Sequence, residues 1–174
     1  MSDMGFVHIY YGDGKGKTTA AIGQAIRAAG NNCEVLFYQF LKDNTSGERI
    51  ILNELEHITC IEGRTEELFS FQMNQKQIQE SKDYYQKKFA QIDKQVVHYQ
   101  MLVLDEIICA IQVGVLEEEQ VIRFLKQKNQ ELEVIMTGNV PSEKLKSCAD
   151  YITEMKKEKH PFDKGEKARR GIEF

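Results

Sequence analysis

The sequence predicts an α/β protein in which a mostly parallel central sheet is covered by helices on both faces. Near-continuous apolar runs alternate with segments of helical periodicity, which is typical of parallel strands buried on both sides. A glycine-rich loop separates the first apolar run, 6–10, from a helix-forming segment, and two acids, Asp105 and Glu106, end a later run. These observations favour the three-layer fold of P-loop NTPases, of the RecA-like type.

The order of apolar runs and helical patterns predicts the individual elements. After the first strand, a helix should continue to about Ala29 and stop at Gly30, a helix C-cap signal. Segment 75–97 has an apolar stripe of helical period on a Gln- and Lys-rich background, which predicts a long amphipathic helix. Further strands are expected at 33–40, 57–61, 101–106, 132–137 and 151–155, and further helices at 48–55, 107–114, 117–128 and 143–147. Because no repeat or low-complexity linker divides the chain, a single domain over 1–174 is expected.

Composition argues against several classes of function. The 174 residues have a formal net charge of -4 and a pI of about 5.7, whereas a nucleic-acid binder normally needs a basic face. No apolar run reaches the length of a membrane span, and the first residues lack the pattern of a signal peptide, so a cytoplasmic protein is expected. The cysteines are scattered beside apolar runs without a C-x-x-C pair, which predicts buried, reduced thiols at Cys33, Cys60, Cys109 and Cys148.

The glycine loop 12–19 is the strongest chemical signal in the chain. Glycines between a strand and a helix let consecutive backbone N–H groups point at phosphate oxygens, and the helix start adds its dipole. The first glycine comes one residue later than in the standard spacing, where Tyr11 stands. The alternative, a glycine-rich turn with a chance lysine, is weakened by the strand and helix that flank the loop. The residues expected to bind nucleotide are Gly12, Asp13, Gly14, Lys15, Gly16, Lys17, Thr18 and Thr19, with Lys17 as the charge on the phosphates.

Asp105 and Glu106 follow an apolar run, as the metal-binding acid of a P-loop protein does. Consecutive strand residues point to opposite sides, so both acids reach one metal only if the strand ends there. The alternative is a strand that merely ends in a polar turn. The expected ligands of Mg²⁺ are Thr18, Asp105 and Glu106.

The C-terminal tail, 156–174, is basic and allows two interpretations. A block of charges is typical of a disordered segment. The interleaved residues Pro161, Phe162 and Gly165 favour instead an ordered loop near an anionic ligand.

Several segments of the chain match one family of enzymes. They are the loop with its late glycine, the run 39–42 (Gln-Phe-Leu-Lys), the strand ending at Asp105 and Glu106, and two tail segments. The tail segments are 159–165 (Lys-His-Pro-Phe-Asp-Lys-Gly) and 171–174 (Gly-Ile-Glu-Phe). Over nearly its whole length, the chain therefore resembles the P-loop ATP:corrinoid (cob(I)alamin) adenosyltransferases.

The resemblance implies transfer of the 5′-deoxyadenosyl group of ATP to Co(I) of a reduced corrinoid, with release of triphosphate. ATP lies reversed in the loop of that family, so the P-loop would hold the leaving group. The implied setting is adenosylcobalamin biosynthesis or salvage. The implied partners are ATP, the corrinoid, Mg²⁺ (or Mn²⁺), a flavoprotein reductase and a second copy of the chain, without nucleic acid or membrane.

Two positions depart from the family's pattern. Phe69-Ser70-Phe71 matches a Phe-x-Trp element that covers the lower face of the corrinoid, but the chain has no Trp and Phe71 stands in that position. A Phe at 71 could still exclude an axial ligand from the corrinoid, but its ring covers less apolar area than a Trp. The alternative is that Phe69 and Phe71 are ordinary core aromatics. Asn139 stands where similar sequences have an Arg, so that Arg's contact is not carried over.

The residues alone leave two other functions open. One is a small P-loop phosphotransferase or kinase, for which Arg169 and Arg170 are candidate phosphate-binding groups. The other is a nucleotide-binding switch ATPase that acts on a protein partner.

Overall fold

The computed structural model describes residues 5–64 and 75–173. The strands are β1 (Val7–Tyr11), β2 (Val35–Gln39), β3 (Ile58–Cys60), β4 (Met101–Asp105), β5 (Glu133–Gly138) and β6 (Tyr151–Glu154). The α-helices are α1 (Lys17–Ala29), α2 (Gly47–Leu52), α3 (Gln75–Gln95), α4 (Ile107–Gln112), α5 (Glu118–Gln127) and α6 (Glu143–Lys146). Short 3₁₀ helices follow at Val96–His98 and Pro161–Lys164.

The six strands form one sheet in the order β3-β2-β4-β5-β1-β6. All five pairings between neighbouring strands are parallel. The chain therefore leaves β1 towards one edge of the sheet and later returns to the other, and this reversal opens a crevice at the carboxyl ends of the strands. The loop after β1 and the ends of β2 and β4 all lie at that edge.

Helices cover both faces of the sheet. On one face, the small side chains of Ala21, Ala25 and Ala29 let α1 lie close to β2, β4 and β5. On the other face, α3, α4 and α5 pack their apolar sides on the sheet, with Phe89 and Phe124 in edge-to-face contact at 5.5 Å. The central strands β2 and β4 are buried along their whole length, as their continuous apolar sequences predict.

The predicted three-layer α/β fold is confirmed, and each expected strand and helix is present within a few residues of its predicted bounds. The prediction that the cysteines are buried is only partly correct. Cys33, Cys60, Cys109 and Cys148 are free thiols, and all four are only partly buried, because they lie at element ends and helix margins rather than in the centre of the sheet. None of the helices in the described ranges has the length and apolarity needed to cross a membrane.

The chain beyond β6 packs directly on the glycine loop. Gly14 donates its backbone N–H to the Met155 carbonyl at 2.7 Å. A Cβ added at Gly14 would come within 2.6 Å of that carbonyl oxygen, and one added at Gly12 within 2.5 Å. Gly12 also has a φ of +118°, which side-chain-bearing residues rarely adopt. These glycines are therefore required by the close approach of two backbone segments.

A pair of glycine substitutions tests this packing. We expect Gly14→Ala to destabilise the protein by about 1–3 kcal/mol, because the new methyl group overlaps rigid backbone. The matched control is Gly23→Ala in α1, where an added Cβ meets nothing within 4 Å. That substitution should stabilise the helix by about 0.5–1 kcal/mol. Urea unfolding followed by circular dichroism measures both changes, and equal stability of Gly14→Ala and the unsubstituted protein would contradict the contact.

Candidate nucleotide-binding site

A cavity of about 580 Å³ lies at the carboxyl edge of the sheet. The glycine loop and the first turn of α1 form one wall, and the loop after β2 forms another. Its described lining residues are Lys15, Gly16, Lys17, Thr18, Thr19, Ile22, Lys42, Gly47, Glu48, Glu106, Gly171, Ile172 and Glu173. Lysines and backbone amides thus face the same space as carboxylates.

In the described part of the chain, no side chain caps the N-terminus of α1. Its cap residue, Gly16, has a φ of 113° and provides no side-chain hydrogen bond, and the first turn contains no acidic residue. The first N–H groups of a helix have no acceptor within the helix and carry the positive end of its dipole. The start of α1 is therefore suited to bind an anion such as phosphate. Lys17 adds its ammonium group here, where Nζ donates to the Gly14 carbonyl at 2.8 Å.

The carboxylate of Asp105 organises the inner wall of the site. Its side chain is 0% exposed. Oδ1 accepts hydrogen bonds from the hydroxyls of Thr18 at 2.8 Å and Thr137 at 2.7 Å. Oδ2 accepts from Gln39 Nε2 at 3.2 Å and from Lys42 Nζ at 2.9 Å. These four donors satisfy the acceptor sites of a carboxylate and compensate its burial.

Lys42 is held between two acids. Its Nζ lies 2.9 Å from Asp105 Oδ2 and 3.9 Å from Glu48 Oε1. Burial by itself would lower the pKa of the ammonium group, but the charge of Asp105 and the hydrogen bond to it raise the pKa above its usual value. Lys42 is therefore charged at neutral pH.

Glu106 leaves the strand in a direction different from that of Asp105. Its φ of 60° places it in the left-handed region, and its backbone N–H donates to Thr137 Oγ1 at 2.9 Å. This turn ends β4 at Asp105 and begins α4, so that Glu106 faces the cavity. The sequence condition for two acids at one site, a strand that ends between them, is thereby met.

The residues present suit a magnesium ion. The Thr18 hydroxyl uses its proton on Asp105 and keeps its lone pairs, and Glu106 offers a carboxylate to the cavity. Among the described residues, no group of three or more His, Cys, Asp or Glu side chains is arranged to hold a metal. Mg²⁺ usually takes one or two protein oxygens and completes its shell with phosphates and water, so this sparse set of oxygen donors is appropriate for it.

The C-terminal segment forms the outer wall. Lys15 Nζ donates to the Ile172 carbonyl at 2.8 Å, and the Lys157 backbone N–H donates to Asp13 Oδ1 at 2.9 Å. The latter bond lowers the pKa of Asp13. The Arg169 guanidinium, hydrogen-bonded to Glu173, lowers the pKa of that carboxyl to about 2. The described part of the tail, 156–173, therefore contacts the glycine loop at two points.

The structure brings together most of the predicted site residues but divides their roles. Lys15 to Thr19, with Asp105 and Glu106, surround or support the cavity, whereas Gly12, Asp13 and Gly14 contact Asn139 and the C-terminal segment. Phe69 and Phe71 lie outside the described residues. Sequence reasoning missed the supporting roles of Gln39, Lys42, Glu48 and Thr137. For Gln39, Lys42 and Thr137 the available signal was a polar residue near the end of a buried strand or just after it, whereas Glu48 lies in α2 and had no such signal.

Fold and site together define a P-loop nucleotide-binding protein. The glycine loop joins β1 to α1, and the buried acid of β4 receives the hydroxyl of the loop's threonine. One strand, β5, lies between β1 and β4.

Sequence comparison then identifies the family. Residues 3–174 match the family model described as ATP:corrinoid adenosyltransferase BtuR/CobO/CobP. A corrinoid adenosyltransferase of Sinorhizobium sp. is 31% identical, with 99% of this chain and 81% of that protein aligned. The corresponding enzyme of Escherichia coli K12 is 30% identical (99% and 87% aligned), and that of Pseudomonas aeruginosa is 32% identical (99% and 85%). The chain belongs to the ATP:corrinoid adenosyltransferase family, whose members are transferases that move an adenosyl group from ATP to a corrinoid.

Among solved structures, a KaiC-like protein from Pyrococcus horikoshii aligns with 90% of this chain and 75% of its own, at 17% identity and a TM-score of 0.49. The strand order and the glycine loop between β1 and α1 define the fold.

The thiol of Cys109 reports on the position of Glu106. Burial, together with the charge of Glu106 and a hydrogen bond to it, raises the pKa of Cys109 to about 12. Little thiolate is then present at pH 8, so we expect iodoacetamide to modify Cys109 very slowly. Glu106→Gln should accelerate the modification, whereas the control Glu131→Gln should not. Peptide mapping by mass spectrometry measures both rates, and rapid alkylation of the unsubstituted protein would contradict this geometry.

Proposed function

We propose that this protein transfers the 5′-deoxyadenosyl group of ATP to Co(I) of a reduced corrinoid and releases triphosphate, using the cavity beside the glycine loop. The supporting observation is the convergence of Lys17, the uncapped start of α1 and Glu106 on one cavity, with Asp105 buried behind Thr18, in a chain of this family. The residues proposed to bind ATP are Gly12, Asp13, Gly14, Lys15, Gly16, Lys17, Thr18 and Thr19.

The proposed reaction is a substitution at C5′. The cobalt–carbon bond forms as the bond from C5′ to the triphosphate oxygen breaks, and the electron pair of that bond leaves with the triphosphate. Co(I) of the substrate is the nucleophile, so the protein supplies no acid, base or nucleophile. Lys17 and the backbone amides of the loop stabilise the charge that the leaving group gains. Catalysis by the protein then consists of positioning and electrostatics.

We propose that Thr18, Asp105 and Glu106 hold Mg²⁺: Thr18 and Glu106 by their oxygens, and Asp105 by fixing the Thr18 hydroxyl through Oδ1, while its Oδ2 is occupied by Lys42 in the nucleotide-free protein. When bound, Mg²⁺ would offset the negative charge of the phosphates. Asp105 keeps Thr18 in one orientation through the 2.8 Å hydrogen bond between the two side chains. Such outer partners set the direction of the groups that ligate a metal.

We propose further that Phe69 and Phe71 cover one face of the corrinoid and exclude an axial ligand, as their match to the family's aromatic element suggests. A four-coordinate corrinoid is more easily reduced to Co(I). With Phe in the Trp position, the covering surface is smaller, and we expect the preference among corrinoids to differ from that of Trp-containing relatives.

The wider setting is also part of the proposal. We infer one domain over 1–174, with 156–174 as a segment beside the ligand, supported by the contacts of Lys15 with Ile172 and of Asp13 with Lys157. The family resemblance supports a homodimer, a flavoprotein as the electron donor and a cytoplasmic location where ATP is abundant.

The central experiment is a product assay with ATP, Mg²⁺ and chemically reduced corrinoid. We expect a light-sensitive adenosyl-corrinoid and intact triphosphate in equal amounts. Lys17→Ala should lower kcat by about 10²–10³-fold, because a charge placed on the leaving group is lost. Lys87→Ala, at an exposed lysine of α3, is the control and should retain full activity.

Other products would contradict the proposal. Formation of ADP and a phosphorylated acceptor would indicate a phosphotransferase. Tight ATP binding without any product, in the presence of Co(I), would indicate a nucleotide-dependent switch.

A second substitution separates the two substrates. Phe71→Ala should leave the Kd for ATP unchanged but lower turnover of the corrinoid by about tenfold, since a buried aromatic contact contributes on the order of 1 kcal/mol beyond its area. Isothermal titration with ATP and the initial rate of adenosyl-corrinoid formation measure the two effects. Phe71→Trp should restore the rate. Unchanged corrinoid turnover in Phe71→Ala would remove this residue from the site.

A further inference from the structure

Lys42 occupies a position that phosphate binding by the glycine loop does not explain. It follows β2, lies across the cavity from α1, and directs its ammonium group at the buried end of β4 rather than at open solvent. Its side chain is 29% exposed, whereas that of its partner Asp105 is 0% exposed. The exposed part of Lys42 lines the cavity. A cation therefore stands between the site and its innermost carboxylate.

The surroundings of Lys42 contain more acceptors than donors. Asp105, Glu48 and Glu106 place three carboxylates near the cavity, and Lys42 is the cation that contacts two of them. Gln39 directs its Nε2 at Glu48 and Asp105, at 2.8 and 3.2 Å. The opposite amide orientation would aim its oxygen at both carboxylates, so the assignment is secure. Gln39 Oε1 is then buried without a partner among the described residues. Additional positive charge beside these carboxylates would therefore be stabilised.

Asp105 has no free acceptor site while Lys42 is in place. Oδ1 is taken by two hydroxyls, and Oδ2 by Gln39 and Lys42. A divalent cation can approach Oδ2 only when one of these donors leaves. Lys42 is the one that can leave, because its flexible stem already borders the cavity and its ammonium can donate in any direction. Once displaced, its ammonium would remain beside Glu48 and Glu106 and could also reach phosphates bound at the start of α1.

We propose that Lys42 is an exchangeable internal cation, which neutralises Asp105 in the nucleotide-free protein and moves to the phosphates when a metal–nucleotide complex binds. This inference rests on the proposed function, because it assumes a triphosphate in the cavity. The exchange is electrostatic, and no covalent bond changes. It couples the two ligands: a metal near Asp105 releases Lys42 for the phosphates, and phosphates that hold Lys42 leave Asp105 ready for a metal. Removing the ammonium group should therefore have opposite effects on the two ligands.

The test compares Lys42→Met with the unsubstituted protein. Mn²⁺ alone, followed by electron paramagnetic resonance, should bind more tightly to Lys42→Met, because the competing cation is gone. ATP in the presence of EDTA, followed by calorimetry, should bind more weakly. The factor by which metal tightens ATP binding, typically about 5–150 for coupled sites, should fall, and the part that remains is the direct attraction between metal and phosphates. Lys42→Arg keeps a cation and should not gain Mn²⁺ affinity, and Lys87→Met is the control for loss of a distant lysine.

If Lys42→Met binds both Mn²⁺ and ATP more weakly, or binds both with unchanged affinity, the exchange is wrong and Lys42 is a structural partner of Asp105. If Lys42→Met does not fold, Lys42→Gln retains a donor for Asp105 without the charge and is tested in the same way.

The unsubstituted protein gives a further measurement, the rate of reductive methylation of Lys42 by formaldehyde and cyanoborohydride, mapped by mass spectrometry. Mn²⁺ alone should accelerate it and Mn²⁺ with ATP should suppress it, with Lys87 unaffected; a constant rate contradicts the exchange. Absence of adenosyl-corrinoid in the product assay would instead refute the proposed function and leave these binding results interpretable.

Discussion

The buried carboxylate of Asp105 is the constraint on which the site depends. A carboxylate without solvent contact must have its acceptor sites filled, because an unpaired buried charge is very costly. The four donors come from the glycine-loop helix, from β5, and from the end of β2 and the loop after it. One charge therefore fixes the relative positions of three neighbouring strands and of α1. The same hydrogen bonds that stabilise the fold orient the groups of the cavity.

The glycine loop is held from two sides. On its inner side, Thr18 is bonded to Asp105. On its outer side, Gly14 and Asp13 are bonded to the segment after β6. A loop held in this way keeps its N–H groups oriented before a ligand arrives, and electrostatic stabilisation is greatest when the donors need not reorganise. The C-terminal segment thus supports the glycine loop without belonging to the glycine motif.

Much of the fold and part of the site could be predicted. Continuous apolar strands, the helix C-cap at Gly30 and the loop 12–19 are local signals, so the parallel α/β fold and the candidate site beside the loop could be predicted. Lys42 was not singled out, because its role requires β2 and β4 to be neighbours, and 63 residues separate Lys42 from Asp105. The burial of the cysteines was overestimated for a related reason. Apolar neighbours in the sequence do not show whether a side chain lies in the centre of a layer or at its edge.

By itself, the sequence determined the class of fold and the chemistry of the loop, because both follow from spacing within a few residues: strand, glycines, Lys17, Thr18 and helix. It also placed two acids at the end of a strand. Only the tertiary structure decided which of them is enclosed and which faces the cavity, since the left-handed turn at Glu106 separates Asp105 from its neighbour. Only the tertiary structure, too, paired Asp105 with Lys42 and brought Ile172 to Lys15. Those contacts join distant parts of the chain, and their formation depends on the order in which the strands lie in the sheet.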